Sequence, residues 1–104
     1  MIKVKVTYKQ ELITSLVVSG HANSGEYGHD LVCAGVSAVV IGGLNALESH
    51  KDFTIDIKDG LASVKASTLP SARDQIVLST IVTSLLTIEQ NYRKYIKISQ
   101  ERTD

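Results

Sequence analysis

The sequence has few of the residues that cross-link a chain or interrupt regular structure. Its one cysteine cannot form an intramolecular disulfide, which favours a reducing compartment and leaves a thiol that is either buried or reactive. There is one proline, no tryptophan and no low-complexity run, while 43% of the residues are hydrophobic. This composition is typical of a folded globular chain, and 104 residues predict a single domain spanning residues 1–104.

A net charge and long apolar runs are also missing. Eleven basic and eleven acidic residues cancel, so no overall field draws the protein onto nucleic acid or anionic lipid. The longest uncharged stretch, residues 31–47, is shorter than the ~20 residues that span a bilayer. The first residues, MIKVKVTYK, contain no apolar core of a signal peptide. We therefore predict a cytoplasmic protein with neither membrane nor nucleic acid as a direct partner.

Hydrophobic periodicity predicts an α+β fold with a mainly antiparallel sheet and two helices. Alternation of apolar and polar residues predicts strands, and the Asp59-Gly60 pair predicts a tight hairpin turn between two of them. Pro70 and Ser71 predict the start of the second helix. The predicted order is β-β-α-β-β-α-β, with strands at 2–9, 13–19, 53–58, 61–66 and 95–99, and a frayed tail at 100–104.

The densest group of chemically reactive residues is GHANSGEYGHDLVCA, residues 20–34. Three glycines and the lack of periodicity predict a loop over residues 20–29, and Asp30 is a candidate N-cap of a helix over residues 31–48. Cys33 then lies in the first helical turn, where free amide groups and the helix dipole favour a thiolate. Buried filler is the other interpretation, because a free cysteine is often buried. His50, at the predicted end of this helix, is interpreted as a favourable C-terminal charge.

A catalytic dyad of Cys33 and His21 is one hypothesis for this stretch. His21 lies at the predicted end of a strand, from which its imidazole can approach the start of the helix and exchange a proton with the thiol. An ordinary surface or core histidine is the alternative. Asp30 either caps the helix or orients the imidazole. Ser37 lies one turn after Cys33 and forms a hydrogen bond either to the reacting group or to the backbone of its own helix. A metal site formed by His21, His29, Asp30 and Cys33 ranks lower, because the spacing lacks a paired zinc motif.

The run GHANSGEYGHDLVCAGVSAV resembles the signature of the ribosomal-processing cysteine protease family. The shared pattern is a Gly-His pair after a hairpin, a glycine-containing loop, an aspartate three residues before a cysteine, and a serine one turn later. The positions that match are Gly20, His21, Asp30, Cys33 and Ser37. Chain length and element order are also similar.

The resemblance implies an endopeptidase that removes the N-terminal extension of large-subunit ribosomal protein twenty-seven. The chemistry of a cysteine and a histidine needs neither metal nor organic cofactor. Cys33 corresponds to the nucleophile and His21 to the general base and acid, with Asp30 and Ser37 as supporting residues and Gly20 as a hinge. A homodimer and aromatic residues before the scissile bond are implied as well. A mobile lid over the active site is also implied, and its residues are Ala22, Asn23, Ser24, Gly25, Glu26, Tyr27, Gly28 and His29.

A non-enzymatic ribosome-assembly or RNA-contacting module is the alternative function. It would use Lys3, Lys5 and Lys9 on one face of the first strand as a basic stripe. Zero net charge and few aromatic residues argue against it. An exposed strand face is the simpler interpretation of the three lysines.

Overall fold

A computed structural model describes residues 1–21 and 27–103, with backbone alone at residues 27–30. Within these residues, five strands and two long helices form in the order that the hydrophobic pattern predicts. They are β1 (Ile2–Lys9), β2 (Leu12–Ser19), α1 (Tyr27–Asn45), β3 (Phe53–Lys58), β4 (Leu61–Ala66), α2 (Ala72–Asn91) and β5 (Ile96–Thr103), with a short 3-10 helix at His50–Asp52. None of the described helices is long and apolar enough to cross a membrane.

The five strands form one sheet in the order β3-β4-β2-β1-β5. Every neighbouring pair is antiparallel except β1 and β5, which run parallel. Alternation along β1 turns Ile2, Val4 and Val6 into the core, where they are buried together with apolar residues of α1 and α2. The predicted α+β architecture with a mainly antiparallel sheet is confirmed.

The open face of the sheet carries the alternating polar residues, including Lys3, Lys5 and Lys9, which are exposed. The ammonium of Lys5 lies 3.5 Å from a carboxylate oxygen of Glu101 on the neighbouring β5 strand. The basic stripe is therefore partly neutralised by the strand beside it.

The first helix begins earlier than the sequence signals indicate. It starts at Tyr27 and ends at Asn45, whereas we predicted residues 31–48. The prediction that Asp30 is the N-cap is therefore wrong, because Asp30 is the fourth helical residue. A carboxylate is favoured anywhere in the first turn by the helix dipole, so an aspartate marks the region of a helix start and not its first residue. His50 does not end α1 but opens the 3-10 helix.

The prediction of a frayed tail is also wrong for residues 100–103. These residues continue β5, which pairs with β1 along its whole length up to the Lys9 and Thr103 positions. Side chains reinforce this pairing, since the hydroxyl of Tyr8 donates to Gln100 at 2.6 Å and the guanidinium of Arg102 lies 4.6 Å from the Tyr8 ring centre. A polar segment is thus ordered by its partner strand and not by its own hydrophobicity.

The start of α2 agrees with the sequence signal. The Ser71 side chain caps the helix by accepting a hydrogen bond from the Asp74 backbone N–H at 3.2 Å. The Asp74 carboxylate is completely buried and accepts hydrogen bonds from the backbone N–H groups of Glu48 and Ser49, at 2.8 and 3.1 Å. It therefore joins the segment after α1 to the first turn of α2.

Close packing of α1 on α2 depends on Gly43. A Cβ at this position would overlap the side chain of Ile81, which is buried in the core, whereas a Cβ at neighbouring Gly42 would meet nothing within 4 Å. We expect Gly43→Ala to lower the free energy of unfolding by about 1–3 kcal/mol through overpacking. The matched variant Gly42→Ala gains helix propensity, so its stability should rise by up to about 1 kcal/mol. Urea denaturation checks both values, and equal shifts would contradict this packing.

Candidate active site

A cavity of about 320 Å³ opens between one face of α1 and the end of the sheet at which β2 finishes and β4 begins. Residues of β1, β2, β3 and β4, together with the turn between β3 and β4, line its sheet side. The five lining residues from α1 are spaced at i, i+3, i+4, i+7 and i+8, the spacing of a single helix face: Cys33, Val36, Ser37, Val40 and Ile41. The helical repeat that buries part of α1 thus also places Cys33 in this cavity.

His21 reaches the same cavity from the end of β2. The N–H of Gly20 donates to the carbonyl of Gly60 at 2.9 Å, and the Met1 ammonium donates to the His21 carbonyl at 2.7 Å. These two bonds hold the backbone on both sides of the His21 Cα. The side chain of His21 is exposed, whereas Cys33 is half-buried.

Gly20 cannot be replaced by another residue without distortion. It adopts a φ of +90°, and a Cβ would lie 2.5 Å from the Met1 carbonyl oxygen. Both the backbone conformation and the close approach of the Met1 carbonyl require glycine here. The structure therefore explains glycine at this position by local geometry.

Four of the five positions that carry the motif line one cavity: Gly20, His21, Cys33 and Ser37. The fifth, Asp30, lies in the first turn of α1, and its side chain is outside the described residues. The predicted lid falls mostly on residues 22–26, which are also outside the described part. Its last three residues, Tyr27, Gly28 and His29, have helical backbone, so the prediction of a loop over them is wrong.

The position of Cys33 within α1 removes one argument for its reactivity. Cys33 is the seventh residue of the helix and lies in the second turn, whereas we placed it in the first. Only the first four amide groups of a helix lack an intrahelical acceptor, so the N–H of Cys33 is not one of the free donors. Stabilisation of a thiolate at Cys33 therefore does not follow from the start of α1.

The hydroxyl of Ser37 differs from three hydroxyls of α2. Thr80, Ser84 and Thr87 each donate to a backbone carbonyl four residues earlier, at 2.8 Å. Within the described part of the chain, Ser37 makes no such bond, and its side chain is exposed at the cavity. Ser37 is therefore available to a molecule that enters the cavity.

No group of three or more His, Cys, Asp and Glu side chains that could hold a metal ion occurs among the described residues. The four-residue metal set that we weighed includes His29 and Asp30, whose side chains lie outside that part. His21 and Cys33 are the two members of the set that the described cavity contains.

The hairpin formed by β3 and β4 was not predicted to be part of the site. Ile57, Lys58, Asp59 and Gly60 all line the cavity. The sequence predicts the hairpin from Asp59-Gly60, but it does not predict that β4 pairs with β2, which brings the hairpin beside His21. The sequence therefore predicts that a tight turn forms, but it does not predict where in the fold that turn lies.

Comparison with known proteins gives the same family along almost the whole chain. The profile of the family described as cysteine protease Prp matches residues 1–97. The ribosomal processing cysteine protease Prp of Bacillus subtilis is 39% identical over 95 residues, which cover 84% of this chain and 85% of that protein. The protein of the same name from Staphylococcus aureus is 36% identical over 104 residues, covering 95% and 98%.

Solved structures agree with these sequence relatives. The S. aureus protease in complex with a covalently linked product peptide superimposes with a TM-score of 0.85 at 36% identity, covering 97% of this chain and 100% of that one. The complex of the S. aureus protease with a substrate peptide gives a TM-score of 0.85 at 34% identity, with the same coverage. The prediction of a cysteine endopeptidase is confirmed by these comparisons. The chain therefore belongs to the cysteine protease Prp family.

Proposed function

We propose that the chain removes the N-terminal extension of large-subunit ribosomal protein twenty-seven, with Cys33 as nucleophile and His21 as general base and acid. The observation that carries this proposal is the shared cavity, which contains the only cysteine of the sequence and the imidazole at the end of β2. The relatives' names supply the reaction class, since they are ribosomal processing proteases.

The chemistry uses two proton transfers for each bond broken. His21 accepts the thiol proton of Cys33 as sulfur attacks the carbonyl carbon of the scissile bond, and it then gives that proton to the departing amine. This leaves a thioester between Cys33 and the N-terminal fragment. A water molecule then attacks the thioester carbon while His21 accepts its proton. The carbon–sulfur bond breaks, His21 returns the proton to the Cys33 sulfur, and the fragment leaves with a new carboxyl group.

The cavity supports an extended peptide with apolar side chains. Val18, Val36 and Val40 contribute apolar lining, and Ile41 and Ile57 are 38% and 48% exposed at the same place. Exposed apolar groups at a concave site favour apolar ligand side chains, because contact removes both surfaces from water. This agrees with aromatic residues before the scissile bond, which the family resemblance implies.

Two supporting roles complete the proposal. The free hydroxyl of Ser37 donates to the substrate carbonyl oxygen, which becomes negatively charged as Cys33 attacks. Asp30 orients or charges the imidazole from the first turn of α1.

The proposal includes location and assembly. The protein works in the cytoplasm as a homodimer, without a metal or organic cofactor, and acts on the ribosomal protein without contacting nucleic acid or membrane. Light scattering of the purified protein tests the dimer.

The substrate is tested with the purified ribosomal protein in two forms, one with its extension and one that begins at the mature residue. Intact mass spectrometry should show loss of the extension from the first form and no change in the second. The same extension fused to an unrelated protein should also be cut, because the cavity binds the extension. If the extended form is not cleaved while unrelated apolar peptides are, the proposed substrate is excluded but the protease activity is not.

A further inference from the structure

Gly60, in the turn between β3 and β4, is related to His21 in two ways. Its carbonyl bonds the residue before the histidine, and its lack of a side chain leaves space beside the imidazole. The carbonyl of Gly60 accepts the N–H of Gly20 at 2.9 Å, directly before His21. A Cβ at Gly60 would lie 2.7 Å from Nε2 of His21, 3.3 Å from Cε1 and 3.4 Å from Cδ2. The outer edge of the imidazole therefore rests where a side chain of residue 60 would begin.

This contact matters because no polar partner fixes the ring within the described part of the chain. Among the described residues, no hydrogen bond or ion pair involves the His21 imidazole, and the side chain is exposed. The Met1 ammonium fixes the His21 carbonyl, but it leaves rotation about the side-chain bonds free. The close approach of the ring to Gly60 is therefore one restraint on where the imidazole lies.

We propose that Gly60 is a positioning residue for His21: its carbonyl holds the backbone before the histidine, and its lack of a side chain leaves the space that the imidazole occupies. The inference rests on the proposed role of His21 as general base. A methyl group at residue 60 would push the ring away from this place, and a base displaced by about 1 Å loses roughly 100-fold in rate. The positive φ of Gly60, +75°, adds a separate cost for any side chain, which the test must separate from displacement of the ring.

The first measurement is the rate of Cys33 alkylation by iodoacetamide from pH 5 to 9, which needs no peptide substrate. It compares the unaltered protein with Gly60→Ala, His21→Ala and Ser71→Ala. The last variant removes the cap of α2, away from the cavity, and serves as a stability control. The charged groups lining the cavity from β3 and its turn are Lys58 and Asp59, which all four proteins retain.

We expect the alkylation profile of Gly60→Ala to resemble that of His21→Ala, while Ser71→Ala retains the original profile. A Gly60→Ala profile equal to that of the unaltered protein, with a different His21→Ala profile, would overturn the role of Gly60 alone. Identical profiles for all variants would show that His21 does not act on Cys33, which would overturn the dyad and this inference together.

The second measurement separates positioning from peptide binding. With a peptide that spans the extension junction, Gly60→Ala should lower kcat by roughly 100-fold and change KM little, since the ring moves while the apolar lining remains. Thermal unfolding is recorded for each variant. If Ser71→Ala is destabilised to the same extent and loses as much kcat as Gly60→Ala, the effect is due to stability and the positioning role is contradicted.

Discussion

Replacement of His21 with alanine is expected to lower kcat for peptide cleavage by roughly 100- to 10,000-fold, the usual contribution of a general base. His21 lines the cavity that contains Cys33, and its backbone is held by hydrogen bonds that do not involve the imidazole. The variant should therefore keep its fold while losing the group that exchanges protons with the thiol and the departing amine. Steady-state kinetics with the junction peptide measure the effect.

The matched control is His50→Ala. His50 is exposed in the short 3-10 helix and does not line the cavity, so its loss removes an imidazole without touching the proposed chemistry. Its kcat should stay within about twofold of the original, because a surface substitution usually changes stability by no more than about 0.5 kcal/mol and this one leaves the cavity intact. If His21→Ala retained the original kcat, or if both variants lost activity equally, the general-base role would be wrong.

The largest expected effect on stability comes from Asp74→Ala. The completely buried carboxylate accepts hydrogen bonds from two backbone N–H groups, those of Glu48 and Ser49. Removing it leaves both donors without their partner, and each such loss costs about 1–3 kcal/mol. We expect the free energy of unfolding to fall by about 3 kcal/mol, as measured by urea denaturation.

Two further variants define the origin of that loss. Asp74→Asn retains one side-chain acceptor, so it should lose about half as much stability as Asp74→Ala. Asp56→Ala removes a carboxylate whose side chain is 48% exposed and which pairs with Lys58, so it should cost less than about 1 kcal/mol. Equal losses for Asp74→Ala and Asp56→Ala would contradict a special role for the buried carboxylate.

The fold was predictable where local signals and burial coincide. Alternation in β1 and the Asp59-Gly60 turn define their elements correctly, because each depends on a few adjacent residues. The segment 100–103 was mistaken for a tail, because its strand pairing is supplied by β1. The start of α1 was misplaced for a different reason, since Asp30 is favoured at several positions of a first turn.

The candidate site was predicted only in its motif residues. His21 and Cys33 stand out by residue type and by the family resemblance, and both lie in the cavity. The contact of Gly60 with His21 depends on pairing between β2 and β4, which are separated in sequence by α1 and β3. No local sequence pattern indicates such a contact, so the part of the site formed by Gly60 could be identified only from the structure.

The central claim is that the Cys33 sulfur carries out peptide cleavage, and the Cys33→Ala protein tests it most directly. The unaltered protein, Cys33→Ala and Cys33→Ser are each incubated with the junction peptide, and the products are weighed by mass spectrometry. Cys33→Ser keeps the size and hydrogen-bonding capacity of the side chain while removing sulfur. We predict two product fragments from the unaltered protein alone, with matching circular dichroism spectra for all three. The same two fragments from purified Cys33→Ala would contradict the account.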